Sequence, residues 1–336
     1  MAAVNDIGID LGTSNVLFYM KGKGIVLREP AVVAIERDSK KILAVGSDAY
    51  RMIGRTPGNV LAIRPLRQGT VTDFDLTNTL LKYFTMHVIG RHFFSRPRAV
   101  ISVPSGVNEV EKRSIISIMF DAGMRRTQLL DRPIAAALGA GLQFEEAYGT
   151  MIIDMGAGVT DIAVLSLGQV TVSSCVPIGG DYFDDAIIRH LRKKYNLLIG
   201  ERTAEEIKIS IGSAYPYEDE GSVQIKGRNL VDGLPKNVTI SASEVREALA
   251  DPLVTIVDAI KSTLEKTPPE LSADIIDHGI MLTGGGALLR GLDLLVAQET
   301  GMPVHVAESP LDCVVDGTGK RLEVTMPKEY YKTRRR

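Results

Sequence analysis

Short apolar segments separated by glycine turns open each half of the chain. Residues 6–30 and residues 151–177 share one order: an apolar segment ending in aspartate, a glycine turn, a second apolar segment, another glycine turn and a third apolar segment. The two aspartates are Asp10 and Asp154. Such runs are typical of antiparallel hairpins, whose tight turns use glycine at positive φ, so the pattern predicts two three-stranded meanders. We therefore expect a duplicated architecture with a cleft between the halves.

Apolar residues at helical spacing follow each meander. The predicted helices are 76–89, 109–122 and 133–141 in the first half and 181–195, 203–213, 243–266 and 287–299 in the second. Apolar strands such as 98–104 and 279–285 lie between them, so each half alternates strand and helix and the fold class is α/β. The turn-rich stretch 213–241 predicts a small β-rich outgrowth on the second half.

The length and composition indicate an ordinary globular protein of two domains. A chain of 336 residues is too long to fold around a single hydrophobic core. Its content of 45% hydrophobic and 24% charged residues is usual for globular proteins. The net charge of −2 produces no field that favours nucleic acid, so no nucleic-acid partner is expected. Cys175 and Cys313 lack metal-ligand spacing, which fits a reducing compartment. Neither a signal peptide nor a spanning apolar run of about 18 residues is recognisable, so we expect a soluble, cytoplasmic protein.

The glycine turns after the first strand of each meander are candidate phosphate sites. Successive backbone N–H groups in such a turn form a concavity that binds anions. The stretches 10–15 and 154–161 each supply one turn, with nearby hydroxyls as further donors. Asp10 and Asp154 are then placed to hold Mg²⁺ through water molecules. The alternative is that both are ordinary hairpin turns with solubilising acids, but their matched positions favour the phosphate interpretation.

A third glycine cluster runs from a strand into a predicted helix. Residues 280–295 read as strand, three glycines and helix, which suits backbone packed against a planar ligand such as a nucleoside. The dinucleotide fingerprint fails because its third glycine would fall at Leu289, and the stretch 316–322 lacks the spacing of a Walker phosphate loop. The phosphate chemistry predicted here therefore belongs to another class of fold.

Long stretches of the sequence resemble one family. The stretches 6–30, 54–69, 197–209, 262–291 and 302–314 are similar to the bacterial actin homologue MreB and its paralogues, within the superfamily of actin, heat-shock ATPases and sugar kinases. The resemblance covers residues 4 to about 323. It implies an actin-like ATPase fold, in which two duplicated ribonuclease-H-like domains, each with a smaller subdomain, surround a nucleotide cleft.

The resemblance also implies the domain boundaries. Domain I would span residues 1–146, with a small subdomain at about 31–70. Domain II would span residues 147–316, with a small subdomain at about 182–242. Residues 317–336 would return to domain I and end in a basic tail.

The nucleotide-binding residues follow from the same resemblance, with ATP or GTP as the ligand and Mg²⁺ held by Asp10 and Asp154. The first phosphate loop would consist of Gly12, Thr13, Ser14 and Asn15, and the second of Gly156, Ala157, Gly158, Val159 and Thr160. The ribose would be bordered by Gly180 and Asp181, and the stretch beside the base would be Glu205, Glu206, Ile207 and Lys208. The nucleoside platform would be formed by Gly284, Gly285, Gly286 and Ala287.

Hydrolysis would depend on a polar side chain that orients water toward the γ-phosphate. The resemblance assigns that role to Glu111, with Thr160 and Asp161 helping to hold the water and the metal. The spacing of Asn108 and Glu111 is also that of a capping box at a helix start, and one residue could serve both purposes in different nucleotide states.

Two departures from the family pattern affect this prediction. The second loop reads GAGVTD, and because alanine tolerates positive φ poorly, Ala157 predicts a subtly different loop. Asp131–Arg132 stands where the family usually has two acids. We expect a slow ATPase coupled to polymerisation, with a rate that the altered loop leaves open.

Two adjacent phenylalanines, Phe93 and Phe94, lie among arginines in a loop at about 89–97. Apolar aromatic residues flanked by cations suit insertion into anionic lipid headgroups, and a filament multiplies each weak contact by avidity. The alternative is a phenylalanine pair in the core with solvated arginines. The resemblance favours the membrane loop.

The function implied by the resemblance is that of a filament-forming cytoskeletal protein. ATP-dependent filaments of paired protofilaments would lie at the inner face of the cytoplasmic membrane. They would help determine rod cell shape by organising cell-wall synthesis. The expected partners are other copies of the chain, anionic membrane lipids, the cell-wall elongation machinery and paralogues. A plasmid-segregation actin and a nucleotide-binding scaffold with little hydrolysis are the alternatives, whereas the insertions of a sugar kinase and the peptide-binding domain of a chaperone are not recognisable.

Overall fold

The structure is a computed structural model that describes residues 6–90, 97–124 and 126–324. The chain divides into two units, one drawn from Met1–Gln143 and Leu311–Arg336 and the other from Phe144–Pro310. Each unit is built on one five-stranded sheet.

The first unit begins with a three-stranded meander. Its strands are β1 (Ile7–Leu11), β2 (Asn15–Met20), β3 (Gly24–Pro30), β4 (Val33–Glu36), β5 (Ile42–Val45), β6 (Val60–Ile63), β7 (Leu66–Arg67), β8 (Thr70–Val71), β9 (Arg98–Val103) and β10 (Arg126–Asp131). The helices that precede the second unit are α1 (Ser47–Tyr50), α2 (Phe74–Ile89), α3 (Glu109–Asp121) and α4 (Arg132–Ala140). The main sheet has the order β10-β9-β1-β2-β3, with β1, β2 and β3 antiparallel and β1, β9 and β10 parallel.

The second unit repeats this plan. Its strands are β11 (Thr150–Met155), β12 (Thr160–Ser166), β13 (Gln169–Val176), β14 (Leu197–Leu198), β15 (Ser222–Asn229), β16 (Pro235–Ser241), β17 (Ile280–Thr283) and β18 (Val304–Val306). Its helices are α5 (Gly180–Tyr195), α6 (Glu201–Ile211), α7 (Ala242–Glu265), α8 (Pro269–His278) and α9 (Leu292–Thr300), after which α10 (Cys313–Glu323) belongs to the first unit. The main sheet has the order β13-β12-β11-β17-β18.

Both main sheets therefore consist of an antiparallel meander followed by two parallel strands, which confirms the predicted meanders and the duplication. The first strand of each meander lies in the middle of its sheet, and every residue of β1 and β11 is buried. Strands buried on both faces are mostly apolar, and Asp10 and Asp154 are the charged exceptions in these two strands. The buried centre places the turn at the end of each first strand on a rigid support.

Smaller sheets extend both units. Strands β4, β5 and β6 form one three-stranded sheet in the first unit, and β7 pairs with β8. In the second unit, β15 and β16 form a long hairpin that β14 joins. This hairpin confirms the β-rich outgrowth predicted within residues 213–241.

The helix predictions are confirmed except near the end of the chain. The predicted helix 287–299 is instead a 3-10 turn at Gly285–Leu288, a residue in the left-handed region at Gly291 (φ 72°), and α9. Helices α8 and α10 were not predicted. The glycines of α10 resemble loop punctuation, but a Cβ at Gly317 would overlap the carbonyl oxygen of Ala135 in α4, so a close helix contact explains this glycine.

No helix within the described ranges is both long and apolar enough to cross a lipid bilayer.

Candidate functional site

The turn between β1 and β2 is the first of the two predicted phosphate turns. The N–H of Gly12 donates to the carbonyl of Asn15 at 3.0 Å, and a Cβ at Gly12 would lie 2.7 Å from that oxygen. The hydroxyl of Thr13 accepts from the N–H of Gly69 at 3.2 Å, and Ser14 Oγ accepts from an Arg64 nitrogen at 3.3 Å. These contacts hold the turn in one conformation from the side of the small sheets.

The turn between β11 and β12 has the same internal hydrogen bond. The N–H of Gly156 donates to the carbonyl of Val159 at 2.9 Å. Behind this turn, the carbonyls of Gly156 and Ala157 accept from the first N–H groups of α5, at Gly180 (3.1 Å) and Asp181 (2.9 Å). These two carbonyls therefore point toward α5 and not toward the opposite side of the turn, where we expect an anion to bind.

Close backbone approach, rather than positive φ, explains Gly12 of the first turn. The described residues with positive φ include Gly22 in the turn before β3, Gly24 at the start of β3, and Gly168 between β12 and β13, but none in the two candidate phosphate turns. The prediction of positive φ is therefore wrong for these turns. Since Ala157 does not need the left-handed region, its side chain imposes no backbone strain there.

An aspartate precedes each turn, and the surroundings of the two differ. Asp10 is 8% exposed, and its Oδ1 accepts from Ser102 Oγ at 2.8 Å and from an Arg132 terminal nitrogen at 3.0 Å. Asp154 is 1% exposed, accepts from Thr283 Oγ1 at 3.0 Å, and lies directly opposite Asp161 on β12. The first aspartate faces an arginine, whereas the second faces another acid.

This difference decides which aspartate suits a divalent ion. Two acids opposite each other on neighbouring strands repel, and oxygen-rich acidic sites are the ones that hard divalent cations prefer. The residues at Asp154 and Asp161 therefore fit Mg²⁺, although the described residues contain no cluster of three or more metal-binding side chains. The prediction of Asp10 as a metal ligand does not fit its contact with Arg132.

The predicted catalytic residues make structural hydrogen bonds. Glu111 and Asn108 form a capping box at the start of α3: the carboxylate of Glu111 accepts from the N–H of Asn108 at 2.9 Å, and Asn108 Oδ1 accepts from the N–H of Glu111 at 3.0 Å. This confirms the capping interpretation of the sequence pattern. Thr160 is fully buried and donates its hydroxyl proton to the carbonyl of Ile178 at 2.7 Å. A role for these residues in hydrolysis stays a prediction.

Helix α6 is tied to the start of α5 by one lysine. Lys208 Nζ donates to the carbonyl of Gly180 at 2.9 Å and to Asp184 Oδ2 at 3.0 Å, and also lies 2.9 Å from Asp184 Oδ1. Burial raises the pKa of Asp184 to about 7, although the charge of Lys208 opposes this rise. Lys208, Gly180 and the second turn thus form one connected hydrogen-bonded chain.

The other residues predicted beside the base differ in their environments. Ile207 is 2% exposed and belongs to the core of the second unit, and Glu206 pairs with Arg202 on the surface at 3.1 Å. Their side chains therefore serve packing and the surface. Glu205, one helical position earlier, is half-buried.

The three glycines after β17 pack against the end of β11. Gly284 has φ of 80°, donates to the carbonyl of Pro310 at 2.8 Å, and would bring a Cβ within 2.9 Å of Asp154 Oδ1. A Cβ at Gly286 would overlap the side chain of Met155. Gly284 and Gly286 therefore lie against the end of β11, from which the second turn leads. The role of Gly284, Gly285, Gly286 and Ala287 as a nucleoside platform stays a prediction.

The predicted membrane residues Phe93 and Phe94 lie outside the described residues. Sequence reasoning did not identify Ser102 or Asp184 as part of the site. Both meet their partners from other strands and helices, so no local spacing pattern marks them. Arg132 was noticed in the sequence only as a departure from the family pattern.

The duplicated sheets and matched turns define a protein of the actin-like class. The crystal structure of MreB5 of Spiroplasma citri bound to AMPPNP is similar, with a TM-score of 0.90, 37% sequence identity, and coverage of 96% of this chain and 98% of that chain.

Comparison of sequences then defines the family. The model of the MreB/Mbl protein family matches residues 4–329. The chain is 51% identical over 325 residues to the cell shape-determining protein MreB of Escherichia coli (strain K12), covering 95% of this chain and 94% of that protein. It is 50% identical over 318 residues to the cell shape-determining protein Mbl of Bacillus cereus (strain ATCC 10987 / NRS 248), covering 95% and 96%. The chain belongs to the MreB/Mbl family.

Proposed function

We propose that this protein binds ATP and forms cytoskeletal filaments at the inner face of the cytoplasmic membrane, where it helps determine rod cell shape by organising cell-wall synthesis. The observation that carries the proposal is the matched pair of turns, each closed by an N–H to carbonyl bond between its first glycine and the residue three positions later. A buried aspartate precedes each turn. A turn of this kind suits the binding of a phosphate group.

The turns at Gly12–Asn15 and Gly156–Thr160 would bind phosphate oxygens, and Gly284–Ala287 would lie against the nucleoside. The start of α5 would border the ribose, and Glu205 and Lys208 would lie near the base and ribose. ATP is proposed over GTP because the similar MreB5 was solved with AMPPNP and with ADP.

Hydrolysis is proposed to be slow. For Glu111 to orient water, its carboxylate would have to leave the N–H of Asn108 that it now accepts from. Thr160 would have to release the carbonyl of Ile178 before its hydroxyl could donate elsewhere. When bound near Asp154 and Asp161, Mg²⁺ would neutralise phosphate charge; the protein residues position the phosphates.

The same contacts support a second candidate function, a nucleotide-binding scaffold with little hydrolysis. A phosphate-release assay under polymerising conditions separates the two. Phosphate release that rises with filament assembly supports an ATPase, and assembly without release above a no-protein blank supports the scaffold.

Membrane attachment is proposed for the loop that contains Phe93 and Phe94. The two phenylalanines would insert among anionic headgroups, while the neighbouring arginines contact the lipid phosphates. Filament partners would be further copies of the chain in paired protofilaments, together with paralogues and the cell-wall elongation machinery.

Electron microscopy of the purified protein on anionic liposomes tests this proposal, with no nucleotide, Mg·ATP or Mg·GTP. We expect ATP-dependent filaments of the wild-type protein on the liposomes. The Phe93→Ser/Phe94→Ser variant should still form filaments, but these filaments should not bind the liposomes. The matched control is Tyr83→Ser/Met86→Ser, because these apolar side chains are 52% and 60% exposed on α2. If the protein forms no filaments with any of the nucleotides, the proposal is contradicted. If the control variant loses binding to the liposomes to the same extent, the assigned membrane contact is contradicted.

A further inference from the structure

A buried arginine already holds the aspartate beside the first turn. The side chains of Arg132 and Asp10 are 6% and 12% exposed, and their contact is 3.0 Å. The same Arg132 nitrogen lies 3.4 Å from the carbonyl of Leu11, the residue that precedes Gly12. Ser102 donates to the same carboxylate oxygen at 2.8 Å. A guanidinium, paired with the carboxylate of Asp10, therefore lies at the base of the first turn.

Helix geometry by itself does not account for an arginine at this position. Arg132 is the first residue of α4, and Asp131 is its N-cap. The N-terminus of a helix carries partial positive charge, which favours acidic side chains and disfavours basic ones. The contact with Asp10, 122 residues away in the sequence, supplies the compensating charge.

The arginine also changes what Asp10 can bind. A carboxylate that holds Mg²⁺ contributes negative charge and oxygen lone pairs to the ion or to its water shell. In this protein a guanidinium and a hydroxyl already bond to Asp10 Oδ1. A divalent ion at Asp10 would lie close to the guanidinium in a buried environment, where like charges repel strongly. Asp154 differs, since it faces Asp161.

We propose that Arg132 replaces a divalent ion at Asp10. The first turn then binds the phosphates of a nucleoside triphosphate beside the guanidinium of Arg132, and Asp10 contributes nothing to the binding of Mg²⁺. This inference rests on the proposed nucleotide-binding function. It makes Arg132 a specificity-determining residue that sets how strongly nucleotide binding depends on Mg²⁺.

The test compares ATP affinity with and without Mg²⁺ by isothermal titration calorimetry. The magnesium ratio is the dissociation constant of ATP in EDTA divided by that in excess Mg²⁺. Arg132→Gln should raise this ratio by about tenfold, because Asp10 becomes available to the ion or to its water shell. The tenfold figure is the change in affinity that one hydrogen bond to a charged group produces at the low end. Arg132→Lys keeps the positive charge and should keep the wild-type ratio.

A second variant covers the case in which Arg132→Gln does not fold with Asp10 unpaired. The double variant Asp10→Asn/Arg132→Gln replaces both charges by neutral amides of similar shape, and it should keep the wild-type ratio because Asp10 does not bind the ion in the wild type. The matched control is Arg98→Gln, which removes an arginine from Asp6 just before the other end of β1. Arg98→Gln should also keep the wild-type ratio.

Two results would overturn the inference. One is an unchanged ratio in a folded Arg132→Gln variant, and the other is a ratio that falls in the double variant, as expected if Asp10 were a metal ligand in the wild type. These outcomes differ from failure of the proposed function. If the wild type binds no nucleotide in either buffer, nucleotide binding itself fails.

Discussion

Replacing Gly179 by alanine tests whether the second turn depends on its contact with α5. Gly179 is the N-cap of α5 and has φ of −158°, so alanine can adopt its backbone conformation. A Cβ there would lie 2.5 Å from the carbonyl oxygen of Gly156 and 2.6 Å from that of Ala157. The substitution therefore acts on the turn through distance and leaves the backbone of residue 179 unstrained.

The size of the effect follows from these distances. Real Cβ atoms do not approach other atoms closer than 3.0 Å, so the turn must move away from α5 by about 0.5 Å. This movement stretches the bonds from Gly180 and Asp181 to the turn, now 3.1 and 2.9 Å, toward or beyond the usual range. A hydrogen bond contributes about 0.5–1.5 kcal/mol, so losing both costs about 1–3 kcal/mol.

That cost should appear in nucleotide binding. The apparent affinity for nucleotide falls in proportion to the fraction of molecules whose turn still has the binding conformation. Gly179→Ala should weaken ATP binding by about tenfold, measured by isothermal titration calorimetry on protein whose circular dichroism spectrum matches the wild type. Gly221→Ala is the matched control, since a Cβ at Gly221 meets no atom within 4 Å. Wild-type affinity in folded Gly179→Ala, or an equal loss in Gly221→Ala, would refute the reasoning.

Two further predictions concern stability. Gly317→Ala should destabilise the protein by about 1–2 kcal/mol in urea denaturation, because overlap with the Ala135 carbonyl costs more than the roughly 1 kcal/mol that alanine adds to a helix interior; a stabilised variant would contradict this packing. Because the folded pKa of Asp184 is about 7 against an ordinary value of 3.8, the folded state binds the proton more tightly, and stability should fall as pH rises between these values. Asp184→Asn should remove up to about 4 kcal/mol of this pH dependence of the free energy of unfolding, whereas Asp185→Asn, at an exposed position, should leave it unchanged. Free energies of unfolding that vary with pH in the same way in Asp184→Asn and in the wild type would contradict the assignment.

The fold was largely predictable because its signals are local. Apolar alternation and glycine position define the two meanders, and the helical spacing of apolar residues defines most helices. Helix α10 was the main failure. Its Gly317 is explained by a close helix contact, and the sequence does not reveal which helix, α4, lies opposite.

The candidate site was predictable only in part. Asp10 and Asp154 are recognisable because they occupy equal positions in the repeat. The capping box of Asn108 and Glu111 is recognisable because the start of a helix imposes this spacing. The environments of the two aspartates were not predictable. Whether an acid meets a metal, an arginine or another acid depends on which strands and helices pack against it.

The sequence by itself determined the two meanders, the turns at their first strands and the family, since each is written in neighbouring residues or long contiguous motifs. The tertiary structure alone decided that Asp10 is held by Arg132, 122 residues away, and that Lys208 reaches Asp184 and Gly180 from another helix. The physical reason is that charge pairing and close packing are properties of distance in space. A linear pattern records which residues are available, and only folding brings the partners within a few ångströms.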